Sequence, residues 1–350
     1  MSEAKPGSDG SRSRRPGSTD VAKLAGVSQK TVSRVLNGEP YVKEDVRLRV
    51  QAAVRELGYR RNNAARALNS GRTQRIGVVC LGTALFGPST QLVSIERTLR
   101  STGYSLSMVN TLEGDTGGVA GAIEHLLEQG VDGIILSEPI DEGDDQPIEL
   151  DIPVLSFGRF PGLSAQPIIY TGGDGIGAGR SATEHLLGLG HRTVWHVAGP
   201  QRWWAARDRL EGWRQALAAA GAPEPPVLEG DWLPASGYEA GQRLAADDEV
   251  TAIFVANDDM AIGVLRALTE AGRVVPDDVS IVGFDDIPSA AFLTPALTTI
   301  PQDFDEHVAR GIANLVTEIE SPTGDRSPAP EPPPLQLVIR HSTAIARTAN

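Results

Sequence analysis

One stretch near the N-terminus, Thr19–Asn37, constrains the fold more than any other part of the chain. It reads TDVAKLAGVSQKTVSRVLN, and the spacing of its apolar residues predicts two short helices. Gly26 lies between them and supplies the backbone freedom that a sharp turn needs. Ser28 stands where the N-cap of the second helix is expected. The stretch therefore predicts a helix, a tight turn and a second helix.

The second helix has one apolar and one polar side. The side chains expected to pack inward are Val21, Ala22 and Leu24 from the first helix and Val32, Val35 and Leu36 from the second. Those expected on the outer face are Gln29, Lys30, Ser33 and Arg34. Each of these can read a base edge or hold a phosphate. The pattern favours a helix-turn-helix with a recognition helix for the major groove, and an ordinary αα-hairpin with a solvated face is the alternative.

Charge is distributed unevenly along the 350 residues. Residues 1–75 carry 16 Lys and Arg against 7 Asp and Glu, a net of +9, and the remainder carries 16 against 38, a net of −22. A basic head can neutralise the phosphates of a duplex. The acidic remainder argues against coating of nucleic acid by the whole chain. The charges favour a duplex-binding head joined to a regulatory body.

The runs DVAKLAGVSQKTVSRVLN and LGYRRNNAARAL resemble the lactose-repressor/galactose-repressor family of bacterial transcription regulators. The similarity extends from about Thr19 to Thr343. It implies a small all-α helix-turn-helix domain followed by an α/β two-lobed core of the type I periplasmic-binding-protein kind. The domains it implies are a disordered tail at 1–16, a DNA-binding domain at 17–60, a hinge helix and linker at 61–74, and an effector-binding and dimerisation core at 75–345.

The resemblance also implies how the head and hinge contact DNA. Gln29 and Lys30 are expected to read bases, with Arg34 as a third reader. In the hinge, Leu68 is expected to wedge between base pairs from the minor groove, which bends the duplex; a linker residue without a DNA role is the alternative. Arg61 departs from the family, which has Pro there, so the free hinge is expected to be more flexible. The remaining expected DNA contacts are Ser28, Thr31, Ser33 and Asn37 on phosphates, and Tyr59, Asn62 and Arg66 near the hinge.

From Arg75 onward, strand and helix patterns alternate, which predicts parallel sheets with right-handed crossovers. The predicted strands are Ile76–Leu81, Ser105–Asn110, Gly133–Ser137, Pro153–Phe157, Ile168–Tyr170, Thr193–Ala198, Ala252–Ala256, Ser280–Phe284 and Gln336–Ile339. The resemblance implies two lobes, with crossings near Phe160, Pro288 and Gly324. The Pro-rich stretch Ser321–Pro334 is expected to be a mobile surface loop.

A sugar site needs an aromatic face and fixed polar groups. By resemblance, the expected effector contacts are Phe86, Arg209, Trp232, Asn257 and Asp285. The alternatives are a salt bridge at the edge of the core for Arg209 and plain packing for Trp232. Trp203 and Trp204 are expected to border the same cleft or to be exposed on the surface. Gly158 stands where sugar-binding relatives have an Asp, and Arg159 beside it is the candidate substitute.

Other kinds of site find little support. Gly173–Gly179 is rich in glycine, but no Walker lysine and no suitably spaced carboxylate follow it. The six histidines show no metal-ligand spacing, and no nucleophile with a matching base stands out. Cys80 is the single cysteine and is expected to be a core residue of a cytosolic protein. We therefore expect no cofactor, no metal, no enzyme activity and no membrane-spanning helix.

The sequence predicts a homodimeric repressor that binds a near-palindromic operator in double-stranded DNA. A small sugar, such as a galactoside or another glycoside, is expected to control that binding. An activator or global regulator of the same fold, or a regulator with a non-sugar effector such as a purine, is the alternative.

Overall fold

The computed structural model describes residues 16–347 except 37, 61–70, 82–83, 112–117, 138–139, 142, 144–146, 159, 161, 166 and 322–334. Contacts divide the chain into two units, one up to Thr73 and one from Gln74 onward.

The N-terminal unit contains three helices, α1 (Ser18–Ala25), α2 (Gln29–Leu36) and α3 (Glu44–Glu56). Gly26 ends α1 with a φ of 64°, a left-handed conformation that glycine adopts without strain. The Ser28 hydroxyl accepts the backbone N–H of Thr31 at 3.1 Å, so the predicted N-cap of α2 is confirmed. Gly58 follows α3 with a φ of 58°, as expected for the residue after a C-cap.

A small apolar core joins these helices. Val21, Val32 and Val50 are fully buried, one from each helix. The prediction that Leu24 packs inward is wrong, because its side chain is 46% exposed. Ala25 is buried instead, since it lies four residues after Val21 and so on the same face of the helix.

The second unit has two lobes. The first lobe contains a parallel five-stranded sheet in the order β2-β1-β3-β5-β7. Its strands are β1 (Arg75–Leu81), β2 (Ser105–Thr111), β3 (Gly133–Leu136), β5 (Val154–Phe157) and β7 (Ile168–Thr171), with a side pair β4 (Ile148–Leu150) and β6 (Leu163–Ala165). Its helices are α4 (Phe86–Thr102), α5 (Gly118–Glu128) and α10 (Phe304–Glu320).

The second lobe contains a parallel four-stranded sheet in the order β11-β10-β8-β9. Its strands are β8 (Trp195–Ala198), β9 (Leu228–Glu229), β10 (Ala252–Val255) and β11 (Ser280–Val282). Its helices are α6 (Gly175–Gly188), α7 (Trp204–Ala220), α8 (Pro234–Ala245) and α9 (Asp258–Glu270). The predicted two-lobed α/β core with parallel sheets is confirmed.

Two of the three predicted crossings between lobes are misplaced. β7 pairs with β5 in the first sheet, so the chain leaves the first lobe after Thr171 and not near Phe160. Asp285 donates its backbone N–H to the Ile300 carbonyl, so the next crossing lies beyond Ile300 and not near Pro288. The third falls between Ser321 and Leu335, and the predicted mobile loop there lies outside the described residues.

The predicted strand Gln336–Ile339 is reduced to a single antiparallel bridge between Val338 and Thr299. Each of these residues donates to the other's carbonyl, at 2.8 Å and 3.1 Å. Farther along, Ile281 donates to the Ser342 carbonyl at 2.8 Å. The C-terminal segment therefore lies along the second lobe without extending its sheet. No helix within the described part of the chain combines the length and apolarity needed to cross a bilayer.

Candidate functional site

A cleft lies between the two lobes at the carboxyl ends of their parallel strands. It encloses about 1030 Å³ of space that opens to solvent. This edge is where open α/β sheets hold their ligands, because several strands end there together. Phe157 and Gly158 reach it from the end of β5, and Asn257 and Asp285 from just beyond β10 and β11.

Seven aromatic side chains line the cleft. Three of the five tryptophans and four of the seven phenylalanines of the chain line the cleft. They are Phe86, Phe157, Trp203, Trp204, Trp232, Phe284 and Phe304. A site of this composition offers flat apolar faces on both sides of a ligand.

Arg209 lies at the base of the cleft with 7% of its surface exposed. Its guanidinium carbon lies 3.7 Å from the Phe284 ring centroid, and its Nη1 donates to the Ala256 carbonyl at 2.7 Å. Its Nη2 is 3.9 Å from the Asp285 carboxylate. Arg209 therefore forms the salt bridge that was the alternative to an effector contact. The two interpretations are compatible, because the ion pair lies in the wall of the cleft.

Close packing of two helices sets the position of Arg209. A Cβ on Gly179 of α6 would lie 2.3 Å from the Arg209 carbonyl oxygen, and one on Gly212 of α7 would lie 2.0 Å from the Ile176 carbonyl oxygen. Only glycine permits helix axes to approach so closely. The glycine-rich run that superficially suggests a phosphate loop thus contributes to helix packing, and Asp174 caps α6 by accepting the Gly177 N–H at 2.8 Å.

Asp285 is held in an uncommon conformation beside Arg209. Its φ is 107° and that of Asp286 is 53°, which for residues other than glycine stores strain of the kind found at binding sites. Gln302 donates to the Asp285 carboxylate at 2.6 Å. Burial raises the pKa of Asp285 to about 6, although Arg209 acts in the opposite direction.

Trp232 also lines the cleft and has a strained backbone, with a φ of 74°, and its surface is 5% exposed. Its ring lies so close to Gly199 that a Cβ there would be 2.2 Å from a ring carbon. The Trp203 ring meets it edge to face, with centroids 5.6 Å apart. The buried indole Nε1 of Trp232 has no hydrogen-bond partner among the described residues. A buried donor of this kind is available to an acceptor on a ligand.

Asn257 lines the cleft, but its amide already has two structural partners. Its Oδ1 accepts the Met260 N–H at 3.0 Å and so caps α9, and its Nδ2 donates to the Trp232 carbonyl at 3.0 Å. Asn257 therefore fixes the strained backbone of Trp232. It retains one N–H for a ligand.

Beside it, Asp258 is a buried residue that the sequence analysis missed. Its carboxylate accepts the Thr299 hydroxyl at 2.7 Å and the Ile287 N–H at 2.9 Å. Burial raises its pKa to about 7. Asp258 thus ties the start of α9 to the segment that carries Asp285. The only sequence signal was a second acidic residue after Asn257 in VANDDM.

The first lobe contributes a more neutral wall. Phe86 lies at the start of α4 and meets Phe304 edge to face at 6.4 Å. Gln91 also lines the cleft, and its Nε2 donates to the Ser137 carbonyl at 2.6 Å. Gly158 lines the cleft as well, whereas the proposed substitute Arg159 lies outside the described residues.

Several residues that line the cleft were not predicted, because they lie far in sequence from the predicted site residues of the first lobe. Gln302, Phe304 and His307 enter the cleft from the start of α10, directly after a crossing between lobes. Burial lowers the pKa of His307. No group of three or more His, Cys, Asp and Glu side chains in the described part of the chain is arranged to hold a metal ion.

In the N-terminal unit, the three expected base-reading side chains are exposed, and two of them have a partner in the protein. Gln29 donates to the Ser18 hydroxyl at 2.8 Å, and Arg34 Nε lies 3.3 Å from the Glu39 carboxylate. Lys30 is exposed on the same helix. Contact with a ligand by Gln29 or Arg34 therefore requires exchange of a weak intramolecular partner.

The structure describes some of the other expected DNA contacts. Ser28 bonds to the Thr31 hydroxyl at 2.9 Å, and Ser33 is exposed beside them. Tyr59 is half-buried against the small core of the head. The expected contacts outside the described part of the chain are Asn37, Asn62, Arg66 and Leu68, and the hinge residue Arg61 also lies outside it.

The two units match two families of known proteins. Residues 19–62 match the model for bacterial regulatory proteins of the lacI family, and residues 183–343 match the periplasmic binding protein-like domain. The lactose operon repressor of Escherichia coli (strain K12) is 36% identical over 289 residues, which are 81% of this chain and 79% of the repressor. The chain belongs to the lacI family. Its members named here are transcription regulators.

Solved structures agree with this membership. A lac repressor dimer bound to operator and the anti-inducer ONPF aligns with a TM-score of 0.78 at 30% identity, covering 95% of this chain and 100% of that chain. A complex of the transcriptional regulator CelR with cellobiose aligns with a TM-score of 0.66 at 31% identity, covering 94% and 100%. The fold class expected from the sequence is that of the lacI family.

Proposed function

We propose that this chain is a homodimeric transcriptional repressor whose affinity for a near-palindromic operator is set by a small sugar bound in the cleft. The proposed domains are the DNA-binding head at 17–60, the hinge and linker at 61–74 and the core at 75–345. The arrangement of Arg209 and Asp285 beside Trp232 carries the proposal for the ligand.

That arrangement suits the two kinds of surface on a sugar ring. The Trp232 face packs against the C–H groups of a ring, as aromatic residues do in carbohydrate sites. Arg209 presents a guanidinium that donates hydrogen bonds to hydroxyl oxygens, and Asp285 accepts hydroxyl protons. Both are buried and held by protein partners, so little conformational entropy is lost when a ligand binds. Phe86 and Asn257 complete the proposed contacts.

The charges favour a neutral ligand. Among the described residues that line the cleft, Arg209 is the one Lys or Arg, and it pairs with Asp285. Asp208 adds a carboxylate, and the lowered pKa of His307 keeps that ring uncharged near neutral pH. A phosphorylated sugar would need more cationic partners than these. An unphosphorylated glycoside is therefore the proposed effector, as cellobiose is the sugar named in the CelR complex.

Exposed apolar side chains support a dimer. Val93 on α4, Met108 on β2 and Phe292 on a short 3₁₀ helix are 66%, 46% and 87% exposed. Burial of such side chains against a second chain would remove apolar surface from water. A second copy of the chain is the proposed partner, because two heads are needed to read two half-sites, and the aligned lac repressor is a dimer on its operator.

For DNA, the proposed readers are Gln29, Lys30 and Arg34 on α2, which lies in the major groove. Ser28, Thr31, Ser33 and Asn37 hold phosphates, and Tyr59, Asn62, Arg66 and Leu68 act at the hinge. The sugar controls this contact because it binds two states of the core with different affinities. Induction and corepression differ only in which of the two core states binds the sugar more tightly, and so in the sign of the coupling free energy between sugar and DNA.

The effector is tested by thermal unfolding of the full chain against mono- and disaccharides, sugar phosphates and purine bases. A neutral glycoside should raise the midpoint, and Trp232→Phe should reduce that shift more than Trp195→Phe, a tryptophan outside the cleft lining. A midpoint shift with purines and none with sugars would overturn the sugar assignment.

The DNA contacts are tested by gel shift on the palindrome upstream of the regulated genes. Gln29→Ala and Lys30→Ala should each relax discrimination at their base pair by about 1–3 kcal/mol. Arg55→Ala, an exposed arginine near the end of α3, is the control. Unchanged discrimination in both α2 variants would exclude them as base readers.

A further inference from the structure

Two segments, one from each lobe, meet beside the cleft. Ile140 and Asp141 follow β3 in the first lobe, and residues 200–207 follow β8 in the second. Ile140 and Trp203 form an antiparallel backbone bridge, and the Asp141 N–H donates to the Arg202 carbonyl at 2.7 Å. The backbone of one lobe is thus hydrogen-bonded to the backbone of the other.

A side-chain ion pair reinforces this contact. Arg207 Nη2 donates to the Asp141 carboxylate at 2.8 Å. The Gly143 N–H also donates to that carboxylate at 3.0 Å, and these two hydrogen bonds lower the pKa of Asp141. The same Arg207 side chain donates from Nε to the Gln201 carbonyl. Arg207 therefore bonds both segments at once.

Arg207 also fixes the aromatic wall. Its guanidinium carbon lies 4.4 Å from the Trp204 ring centroid, within the range of a cation–π contact. Trp203, the next residue in the wall, takes part in the backbone bridge and meets Trp232 edge to face. The position of two lining tryptophans therefore depends on contacts with the first lobe.

We propose that Asp141 and Arg207 form an interlobe clasp, a positioning pair that holds Trp203 and Trp204 in the cleft wall and so sets effector affinity without touching the effector. Neither residue belongs to the described lining of the cleft. The inference rests on the proposed function for its ligand, but the clasp itself exists in the protein without one.

The clasp couples effector binding to closure of the two lobes. Its bonds form only when the two lobes are close together, so they stabilise the closed arrangement alone. A ligand that packs on Trp203 and Trp204 favours the same arrangement and is favoured by it, because the two effects are linked reciprocally. Loss of the clasp therefore weakens effector binding and loosens the wall.

Hydrogen exchange of the full-length protein without ligand tests the clasp directly. Asp141→Asn and Arg207→Gln should speed amide exchange in peptides that span Trp203–Arg207. The matched control is Arg214→Gln, which removes an exposed ion pair on the same helix, from Arg214 Nε to Glu224 at 3.1 Å. Equal exchange in wild type, both clasp variants and the control would refute the clasp, whatever the ligand.

Calorimetry with the sugar that stabilises the wild-type protein tests its effect on affinity. Each single variant should weaken binding about threefold to tenfold, the range for a partly exposed ion pair with added contacts. The double variant should be no weaker than the worse single variant, because both remove one interaction. Arg207→Lys should recover part of the affinity, since it keeps the charge but not the planar stacking.

Ionic strength separates positioning from a general loss of structure. A neutral sugar gives no salt dependence of its own, so wild-type affinity should fall between about 0.05 M and 0.5 M salt as the clasp is screened. Asp141→Asn should remove that dependence. Additive losses, or a salt dependence that survives in Asp141→Asn, would count against the clasp. If no sugar binds the wild type, the proposed effector fails, and hydrogen exchange still decides the clasp.

Discussion

The head and the core solve two recognition problems in opposite ways. On α2, Gln29, Lys30 and Arg34 are exposed, and the described partners of Gln29 and Arg34 are other exposed side chains. In the cleft, Arg209 and Asp285 are buried and held by backbone and side-chain bonds. Phosphates and base edges remain hydrated until contact, so long mobile side chains suffice. A small uncharged ligand offers few contacts, so its site must be formed in advance.

The comparison predicts that a cleft residue affects stability and binding together, whereas an α2 residue affects binding alone. The largest effect is expected for Arg209→Met. It leaves the buried Asp285 carboxylate without its charged partner, so the free energy of unfolding should fall by about 3–5 kcal/mol and effector binding should be lost. Urea denaturation and calorimetry measure both. Arg180→Met, an exposed arginine of α6 paired with Glu184 at 3.9 Å, is the control and should change neither measurably.

Gly199→Ala is the next largest. Its Cβ would overlap the Trp232 ring, so the ring must shift within the cleft at a cost of about 1–3 kcal/mol in stability, with weaker sugar binding. Thermal unfolding and titration of tryptophan fluorescence check this. Gly188→Ala at the end of α6 has open space for its Cβ and should be neutral or slightly stabilising. Tight sugar binding by Gly199→Ala would show that Trp232 is not a ligand wall.

A smaller effect should appear with pH. Burial raises the pKa of Asp258 to about 7 and that of Asp285 to about 6, from the ordinary aspartate value of 3.8. The folded state therefore holds protons that the unfolded state has released, and stability falls as pH rises toward and through these values. Between about pH 6.5 and 8 these two carboxyl groups should lower the free energy of unfolding by about 1 kcal/mol.

The buried histidines act in the opposite direction over an overlapping pH range. Burial lowers the pKa of His196 to about 4 and also lowers those of His185, His191 and His307, so their contribution to stability grows as pH rises through about 6.5, the ordinary pKa of histidine. The carboxyl contribution is therefore measured as the difference in unfolding free energy between wild type and Asp258→Asn, which should fall by most of about 1 kcal/mol from pH 6.5 to 8. A difference that does not change with pH would assign the contribution to another group.

The smallest effect concerns the head. Glu39→Gln releases Arg34 from its exposed ion pair, which should strengthen DNA binding by about 0.2–1 kcal/mol at low salt and leave stability nearly unchanged. Fluorescence anisotropy with labelled operator measures this. Glu44→Gln, which breaks the 3.6 Å pair with Arg47 inside α3, is the matched control. Equal gains in both variants would indicate general loss of negative charge instead of release of Arg34.

Local patterns predicted the elements of this fold well. The turn at Gly26, the cap at Ser28 and the strands from Arg75 onward follow from residues close together in the chain. Errors arose where distant segments compete. Leu24 is exposed because Ala25 takes the inward position, and the first crossing is late because β7 completes the first sheet.

The cleft is lined by all five residues expected to contact an effector, Phe86, Arg209, Trp232, Asn257 and Asp285, and their contact with an effector stays a prediction. The sequence did not reveal that the Asn257 side-chain amide donates a hydrogen bond to the Trp232 carbonyl. Asp258, Gln91 and Gln302 were missed because their roles depend on partners 17 to 46 residues away in the chain. Sequence spacing carries no information on such pairs.

The sequence by itself determined the helix-turn-helix, the basic head, the alternating core and the family to which they belong, because each depends on local periodicity, composition or a contiguous motif. The tertiary structure alone decided which buried carboxylates share the site, how glycine contacts set Arg209, and that Asp141 meets Arg207 across the lobes. These depend on distances between residues far apart in sequence, and such distances exist only once the chain has packed.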